Sequence, residues 1–205
     1  MDDGYIGQSV RRREDPRLLR GDGLFVADVR LPGTVHAAIL RSNRAHARIL
    51  SVDLSRARAQ PGVLAALSAA DMPGVPRIPN LVPHRALRAR MPYPLARDKV
   101  RFFGEPVAVV VAESPYLAED ALELIDVEYE DLPAVLDAEA ALQPGAALVH
   151  DDMDSNLAAV VTQTVGDPDR VFAEADIVVR NPFRFCRIAG QPLETRGVLA
   201  VCERS

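Results

Sequence analysis

The stretch Pro94–Tyr129, PLARDKVRFFGEPVAVVVAESPYLAEDALELIDVEY, decides the fold because it encodes a strand, a helix and a second strand in succession. Within it, Val107–Ala112 is an unbroken apolar run rich in valine, which is typical of a strand covered on both faces. Ser114 predicts a helix cap, and Pro115 suits the first helical position, where a missing N–H costs nothing. The helix therefore follows the strand directly.

This helix is predicted to be amphipathic and to face a sheet. Apolar residues recur at i, i+3, i+4 and i+7, and acidic residues fall on the other side. The apolar positions are Ala118, Ala121, Leu122 and Ile125. The helix is expected to end near Asp126, after which Val127–Glu130 alternates apolar and acidic residues and predicts a half-buried strand.

Composition limits the size and class of the fold. The chain has 205 residues, 48% of them hydrophobic and only 5% aromatic, which predicts one domain, or one domain plus a fragment, with a core of small aliphatic residues. No apolar stretch approaches the roughly 20 residues of a membrane helix, and the amino terminus lacks the apolar centre of a signal peptide, so a cytoplasmic location is predicted. Cys186 and Cys202 lack zinc-ligand spacing and are interpreted as reduced core thiols.

Charge is divided unevenly along the chain. Residues 1–104 carry 18 basic and 9 acidic side chains, whereas residues 105–155 carry 14 acidic and no basic ones. A nucleic-acid surface would also need aromatic stacking platforms or a recognisable motif, and neither is found in the sequence. The two halves are therefore expected to neutralise each other, either within the fold or against a partner subunit.

The rest of the chain adds an extended arm and further short elements. The arm, Met1–Arg20, has no apolar period and is typical of tails that tie subunits together. Predicted strands are Val35–Leu40, Arg48–Leu54, Val63–Leu67, Leu157–Val165, Ile177–Phe185 and Val198–Val201. Predicted helices are Leu54–Gln60, a short one from the Asp137 cap through Leu142, and one from the Asp167 cap through Ala175.

A long irregular segment, Met72–Pro94, is rich in proline and carries basic residues. These are Arg77, Arg85, Arg88 and Arg90. Such a loop is either a tolerated surface insertion or a gating or docking loop. The second interpretation is favoured because proline stiffens a segment that would otherwise lose entropy on binding.

Candidate reactive groups are few. Glu105 is the best single carboxylate; it is either a base with a raised pKa or, as we favour, an acceptor for local amides at a turn. The cluster His150–Asp154 could hold a hard cation, but it lacks the glycine and distal glutamate of a calcium loop, which favours a solvated acidic loop. Four scattered histidines are interpreted as structural: His36, His46, His84 and His150. The residues alone predict an α+β domain without a self-sufficient active site.

Three runs of sequence carry a family resemblance: LPGTVHAAILRSNRAHARILSVDLSRARAQPGV, PLARDKVRFFGEPVAVVVAESPYLAEDALELIDVEYEDLPAV and GQPLETRGVLAV. They resemble the amino-terminal part of the molybdenum-binding large subunit of the xanthine dehydrogenase and aldehyde oxidase family. The resemblance implies an α+β fold, the α/β hammerhead domain with a mixed sheet and packed helices, over residues 21–150. It implies that residues 1–20 form an extended arm and that residues 151–205 begin the molybdopterin-binding domain, with Gln191–Gly197 at its start.

The resemblance also implies a function. The chain would be a component or amino-terminal piece of a molybdenum hydroxylase that hydroxylates an aldehyde, an N-heterocycle or a similar small substrate with oxygen from water. The assembled enzyme would hold molybdenum–molybdopterin, in its cytosine dinucleotide form, with iron–sulfur clusters and FAD, none bound by this chain alone. Its partners would be the remainder of the molybdenum-binding subunit, an iron–sulfur subunit and a flavin subunit.

No catalytic, cofactor-binding or metal-binding residue is carried over, because the family's cofactor loops match no position in this chain. The chain would contribute scaffold, substrate-funnel wall and subunit interface, and it would be inactive alone. The alternative hypothesis is a non-enzymatic binding or assembly module that retains the hammerhead fold.

Overall fold

The computed structural model describes residues 4–81, 83–88, 90–186, 188–192 and 194–202. Positions 82 and 89 of the predicted irregular segment, position 193 of the predicted start of the second domain, and the outermost three residues at each terminus lie outside this range. The described residues form two compact units. One unit is Thr34–Asp176, and the other comprises the described parts of Met1–Gly33 and Ile177–Ser205.

The first sheet of the Thr34–Asp176 unit has the predicted apolar strand at its centre. Its strands are β1 (His36–Arg41), β3 (Val63–Ser68) and β5 (Pro106–Ala112), in the order β1-β5-β3. Both pairings are antiparallel, and β5 aligns Val109 with Ile39 on one side and Leu67 on the other. Ala108 and Val110 of β5 belong to one apolar cluster and Val107 to another, so both faces of this strand are covered, which explains its apolar side chains.

The predicted helix packs against this sheet as α3 (Pro115–Leu122). Ser114 Oγ accepts a hydrogen bond from the Leu117 N–H at 3.2 Å, which confirms the cap. Ala118 and Ala121 are buried. The helix ends before the predicted Asp126 because its last turn tightens: the N–H of Ile125 donates to the Leu122 carbonyl, three residues back.

The returning strand belongs to a second sheet. This sheet comprises β2 (Ala47–Asp53), β4 (Lys99–Val100) and β6 (Asp126–Asp131), in the order β4-β2-β6. Val127 and Tyr129 of β6 pack inward, as their alternation with acidic residues predicts. All pairs in both sheets are antiparallel, which differs from the mixed sheet that the resemblance implies.

Two apolar clusters hold these elements together. The larger lies between the first sheet, α3 and the short helix α2 (Ser55–Ala59), and its buried residues are Leu54, Ala57, Ala66, Ala108, Val110, Ala121 and Ile125. The smaller lies against the second sheet, and its buried residues are Ala47, Ala96, Val100 and Val107. Both are built mainly from small aliphatic side chains, as the composition predicts.

Gly62, after α2, joins that helix to β3 with a left-handed backbone conformation. Its φ is +84°, and an added Cβ would lie 2.7 Å from Leu117 Cδ1 of α3. The Glu113 N–H donates to the Gly62 carbonyl at 3.0 Å. Glycine is therefore favoured here by the backbone conformation, whereas the Leu117 side chain would have to shift for a larger residue.

Other short helices match the prediction in part. A 3₁₀ turn, Ala140–Leu142, follows Asp137, whose Oδ1 accepts from the Ala140 N–H at 2.8 Å. Asp167 caps α4 (Pro168–Glu174), as predicted. The arm is not wholly extended, because it contains the short helix α1 (Asp15–Leu19). None of the helices in the described ranges is long and apolar enough to cross a membrane.

Three predicted strands are wrong. The described residues of 157–165, 177–185 and 198–201 form no strand, although each segment contains a run of apolar residues. Many of these side chains are exposed, including Val165 at 94% and Val198 at 91%. A strand needs a neighbour to receive its backbone hydrogen bonds, and the described residues supply none for these segments.

Candidate functional site

The segment Met72–Pro94, here called the basic loop, has no helix or strand among its described residues. It is nonetheless held together by specific contacts. The Ile78 N–H donates to the Pro92 carbonyl at 2.9 Å, and Arg77 Nη1 donates to the Met91 carbonyl at 2.8 Å. The centroid of the Tyr93 ring lies 4.5 Å from the guanidinium carbon of Arg77 and 3.9 Å from the guanidinium carbon of Arg97. The loop is thus closed on itself.

The basic loop packs against residues 150–154, here called the acidic loop. Arg90 Nε lies 2.7 Å from Asp152 Oδ2, and Arg88 Nη1 lies 4.0 Å from Asp154 Oδ1. A backbone bond of 2.7 Å from the Arg88 N–H to the Ala158 carbonyl reinforces these contacts. The acidic loop therefore binds the chain's own cations.

The same pairing of basic and acidic halves recurs on the second sheet. Arg48 Nε lies 3.0 Å from Glu130 Oε2, and further pairs join Arg44 to Asp131 and Arg56 to Asp126. The prediction that the two halves neutralise each other within the fold is confirmed. Because most of these side chains are exposed, each pair contributes little stability by itself.

A buried lysine anchors the acidic loop. Lys99, on β4, is only 3% exposed, and its Nζ lies 2.8 Å from Asp151 Oδ1. The hydrogen bond from Lys99 holds the pKa of the Asp151 carboxyl below its usual range, and Arg101 adds to this effect. The pair thus fixes the first aspartate of the loop against the sheet.

His150 is partly buried beside this charged cluster. Burial lowers the pKa of its imidazole, and the positive charges of Arg101, Arg77 and Lys99 lower it further, against the opposing effect of Asp152. Its Nδ1 and the Nε of Arg101 are both buried without a hydrogen-bond partner among the described residues. Protonation of His150 would add a fourth positive charge to this region.

Glu105 is a structural carboxylate at the turn before β5. It is 2% exposed, and its Oε2 accepts a hydrogen bond from the Arg101 backbone N–H. Its own carbonyl accepts from the Ser42 N–H at 2.9 Å. Burial raises the pKa of the carboxyl, while the Arg101 N–H and guanidinium partly oppose the rise. The interpretation as an acceptor for local amides is confirmed.

The histidines lie in different elements and serve local contacts. His46 is buried, and its Nδ1 lies 2.8 Å from the Pro133 carbonyl. His84 Nδ1 accepts from the Ala86 N–H at 3.1 Å and so shapes a turn of the basic loop. These contacts agree with the structural role predicted for both residues. Neither contact creates a nucleophile or a catalytic base.

A cavity of about 300 Å³ lies where the basic loop meets residues 157–160. Its lining combines two cations with apolar side chains: Arg85, Ala86, Arg88, Leu157, Ala159 and Val160. The sequence does not predict this cavity, because the pattern of Leu157–Val165 predicts a strand and nothing in the basic loop indicates which segment it meets. Residues 157–160 form a short apolar run, and nothing in its pattern indicates a cavity.

The cysteines are free, as predicted, but they are not core residues. Cys186 and Cys202 are both exposed. The prediction of burial was wrong for the same reason as the strands. Cys186 follows segment 177–185 and Cys202 follows segment 198–201, and neither segment pairs into a sheet with the described residues.

The described residues do not fit a molybdenum or pterin site. Within the described ranges, no group of three or more His, Cys, Asp or Glu side chains could hold a metal ion. The amino and N–H groups of a pterin ring need hydrogen-bond acceptors. The side chains that line the cavity supply only donors, from two arginines, and no acceptor. No step of a reaction is therefore assigned to these residues.

Comparison with known proteins gives one consistent result. The family described as "Aldehyde oxidase and xanthine dehydrogenase, a/b hammerhead domain" matches residues 20–133. The gamma subunit of the 6-hydroxypseudooxynicotine dehydrogenase complex of Paenarthrobacter nicotinovorans is 42% identical over 200 residues, which is 95% of this chain and 25% of that protein. This chain thus spans about a quarter of the length of that relative.

Solved structures agree with the sequence matches. Quinoline 2-oxidoreductase from Pseudomonas putida 86 superposes with a TM-score of 0.72 at 43% identity, over 87% of this chain and 23% of that one. A Cu,Mo-CO dehydrogenase superposes with a TM-score of 0.64 at 38% identity, over 83% of this chain and 23% of that one. Both matches extend over most of the described residues.

Proposed function

Since the chain belongs to the aldehyde oxidase and xanthine dehydrogenase family through its α/β hammerhead domain, we propose that it is a component of a molybdenum hydroxylase. The observation that carries the proposal is the match along nearly the whole chain, at 42% identity, to a subunit of a dehydrogenase complex. The molybdenum named for the CO dehydrogenase structure supports the choice of metal. The reaction proposed is the hydroxylation of an aldehyde, an N-heterocycle or a similar small molecule with oxygen from water.

In this proposal the chain contributes structure rather than catalytic groups. Residues 21–150 are the hammerhead domain, residues 1–20 are an arm for subunit contact, and residues 151–205 begin the cofactor domain. The basic loop is a wall of the substrate funnel or a partner contact. Its ion pairs with the acidic loop support this role, because a wall must keep its shape when substrate passes.

The proposed cofactors belong to the assembled enzyme. Molybdopterin, in its cytosine dinucleotide form, would supply the oxidising metal centre, and iron–sulfur clusters and FAD would carry the electrons away. The proposed partners are the remainder of the molybdenum-binding subunit, the iron–sulfur subunit and the flavin subunit. The proposed location is the cytoplasm.

A reconstitution experiment tests the proposal. The purified 205-residue chain should oxidise neither aldehydes nor N-heterocycles and should release no pterin on denaturation. When the chain is co-expressed with the rest of the large subunit and the other two subunits, the complex should oxidise its substrate and should release pterin on denaturation. Stoichiometric pterin from the lone chain would contradict the proposal, and an inactive, metal-free complex would favour the non-enzymatic assembly module.

A further inference from the structure

The cavity lies between the basic loop, which the proposed function makes a funnel wall or partner contact, and residues 157–160, which lie in the proposed start of the cofactor domain. We propose that it binds a small organic monoanion, whose carboxylate is held by Arg85 and Arg88 and whose apolar body lies on Leu157 and Val160. The inference does not rest on the proposed function, because it concerns binding by this chain's own residues. Four features of the cavity carry it.

The first feature is an unused positive charge. Within the described ranges, the Arg85 side chain has no hydrogen-bond or ion-pair partner. Its backbone is nevertheless fixed, because it lies in a turn closed by the Leu87 N–H donating to the His84 carbonyl at 2.9 Å. The Ala86 N–H also donates to His84 Nδ1 at 3.1 Å. The turn therefore presents an exposed guanidinium at the cavity, unpaired with any of the described residues.

The second feature is a cation that is only partly neutralised. Arg88 also lines the cavity, and its Nη1 lies 4.0 Å from Asp154 Oδ1, at the limit of an ion pair. Together, Arg85, Arg88 and Asp154 carry a net charge of about +1 at neutral pH. A monoanion balances this charge, and a planar carboxylate matches the parallel donors of a guanidinium.

The third feature is an apolar wall next to the cations. Leu157, Ala159 and Val160 also line the cavity, and Val160 is 62% exposed. An apolar body placed there would remove this surface from water. Inorganic phosphate would gain nothing from the wall, so the chemistry favours a carboxylate with a hydrocarbon body over a mineral anion.

The fourth feature is the size and definition of the space. A volume of about 300 Å³ has room for about ten water molecules, which corresponds to a ligand of about ten non-hydrogen atoms. The two sides are tied by the 2.7 Å bond from the Arg88 N–H to the Ala158 carbonyl. Benzoate, with an aromatic body and one carboxylate, suits these dimensions as a probe.

Titration of the full chain with benzoate, followed by NMR, tests the proposal. Benzoate should bind saturably and more tightly than benzamide, acetate or inorganic phosphate, because only benzoate offers both the charge and the apolar body. Arg85→Ala should weaken benzoate binding about tenfold or more. Arg56→Ala, which removes another exposed arginine away from the cavity, should leave binding unchanged.

A second variant makes the test independent of the charge. Ala159→Leu should fill the cavity and abolish benzoate binding while both arginines remain, and far-UV circular dichroism should show that each variant is folded. If Arg85→Ala does not fold, Ala159→Leu alone decides. The proposal is overturned if benzoate does not saturate, if acetate or phosphate binds as tightly, or if Arg85→Ala and Arg56→Ala behave alike.

Discussion

Replacement of Glu105 by alanine removes the acceptor that fixes the turn before β5. The carboxylate is 2% exposed and accepts from the Arg101 backbone N–H. Leaving that donor without a partner costs about 1–3 kcal/mol, and the lost packing of one buried methylene costs about 0.8 kcal/mol. Glu105→Ala should therefore lower the free energy of unfolding by about 2–4 kcal/mol.

Replacement of Glu105 by glutamine keeps an acceptor of similar shape and removes only the charge. Burial raises the pKa of this carboxyl in the folded state, so the folded protein favours the protonated form. Its contribution to stability is therefore greatest below the unfolded-state pKa and is lost as pH rises through the folded-state pKa. Relative to the parent chain, Glu105→Gln should gain stability as pH rises from about 4 to about 7.

Urea unfolding followed by far-UV circular dichroism measures both effects, since the chain contains no tryptophan for fluorescence. Glu113→Gln is the matched control, because Glu113 is exposed, and it should change the free energy of unfolding by less than about 0.5 kcal/mol. If Glu105→Gln destabilises the fold as much as Glu105→Ala, the charge itself is required. If Glu105→Gln keeps stability but abolishes turnover in an assembled enzyme, Glu105 is catalytic. Either result refutes the structural interpretation.

Three further predictions concern the acidic loop and α3. Asp151→Asn should lower the free energy of unfolding by about 1.5–3 kcal/mol, because it weakens the hydrogen bond from the buried Lys99 ammonium. Asp154→Asn is the control: Asp154 forms an exposed 4.0 Å pair with Arg88, and its replacement should have little effect in the same urea titration. Burial and nearby cations lower the pKa of His150 in the folded state, so its contribution to stability is lost as pH falls through that pKa. His150→Gln should therefore reduce the loss of stability on acidification below about pH 6.5. Ser114→Ala should cost about 1 kcal/mol by removing the α3 cap, measured by thermal unfolding.

Each of these predictions has a contradicting result. Equal destabilisation by Asp151→Asn and Asp154→Asn would show that burial of Lys99 does not strengthen its ion pair. If His150→Gln loses stability on acidification to the same extent as the parent chain, the pKa of His150 does not differ between the folded and unfolded states. An unchanged unfolding temperature in Ser114→Ala would show that the α3 amides find another acceptor.

The sequence predicted the elements whose signals are local. The run Val107–Ala112, the Ser114 cap and the alternation after Ile125 each depend on neighbouring residues, and all three were confirmed. The division of β5 and β6 between two sheets was not predicted, because strand pairing joins residues far apart in the chain. Non-local pairing also explains the three wrong strands, whose apolar runs have no partner strand among the described residues.

The candidate site shows the same limit. The basic loop and the acidic loop were each recognised from composition, and the uneven charge predicted that the halves neutralise each other. Which arginine meets which aspartate depends on how the loops fold over β4, and spacing along the chain does not encode this. The cavity was missed because its two walls lie about 70 residues apart in sequence and carry unrelated patterns.

Metal analysis of the native complex tests the central proposal most directly. The chain, carrying an affinity tag, is recovered with its partners from the cell that makes it, and molybdenum and iron are measured per mole of chain. The proposal predicts stoichiometric molybdenum, together with iron, in the complex and neither metal in the chain purified alone. A native complex without molybdenum, or a lone chain that holds it stoichiometrically, would contradict the proposal.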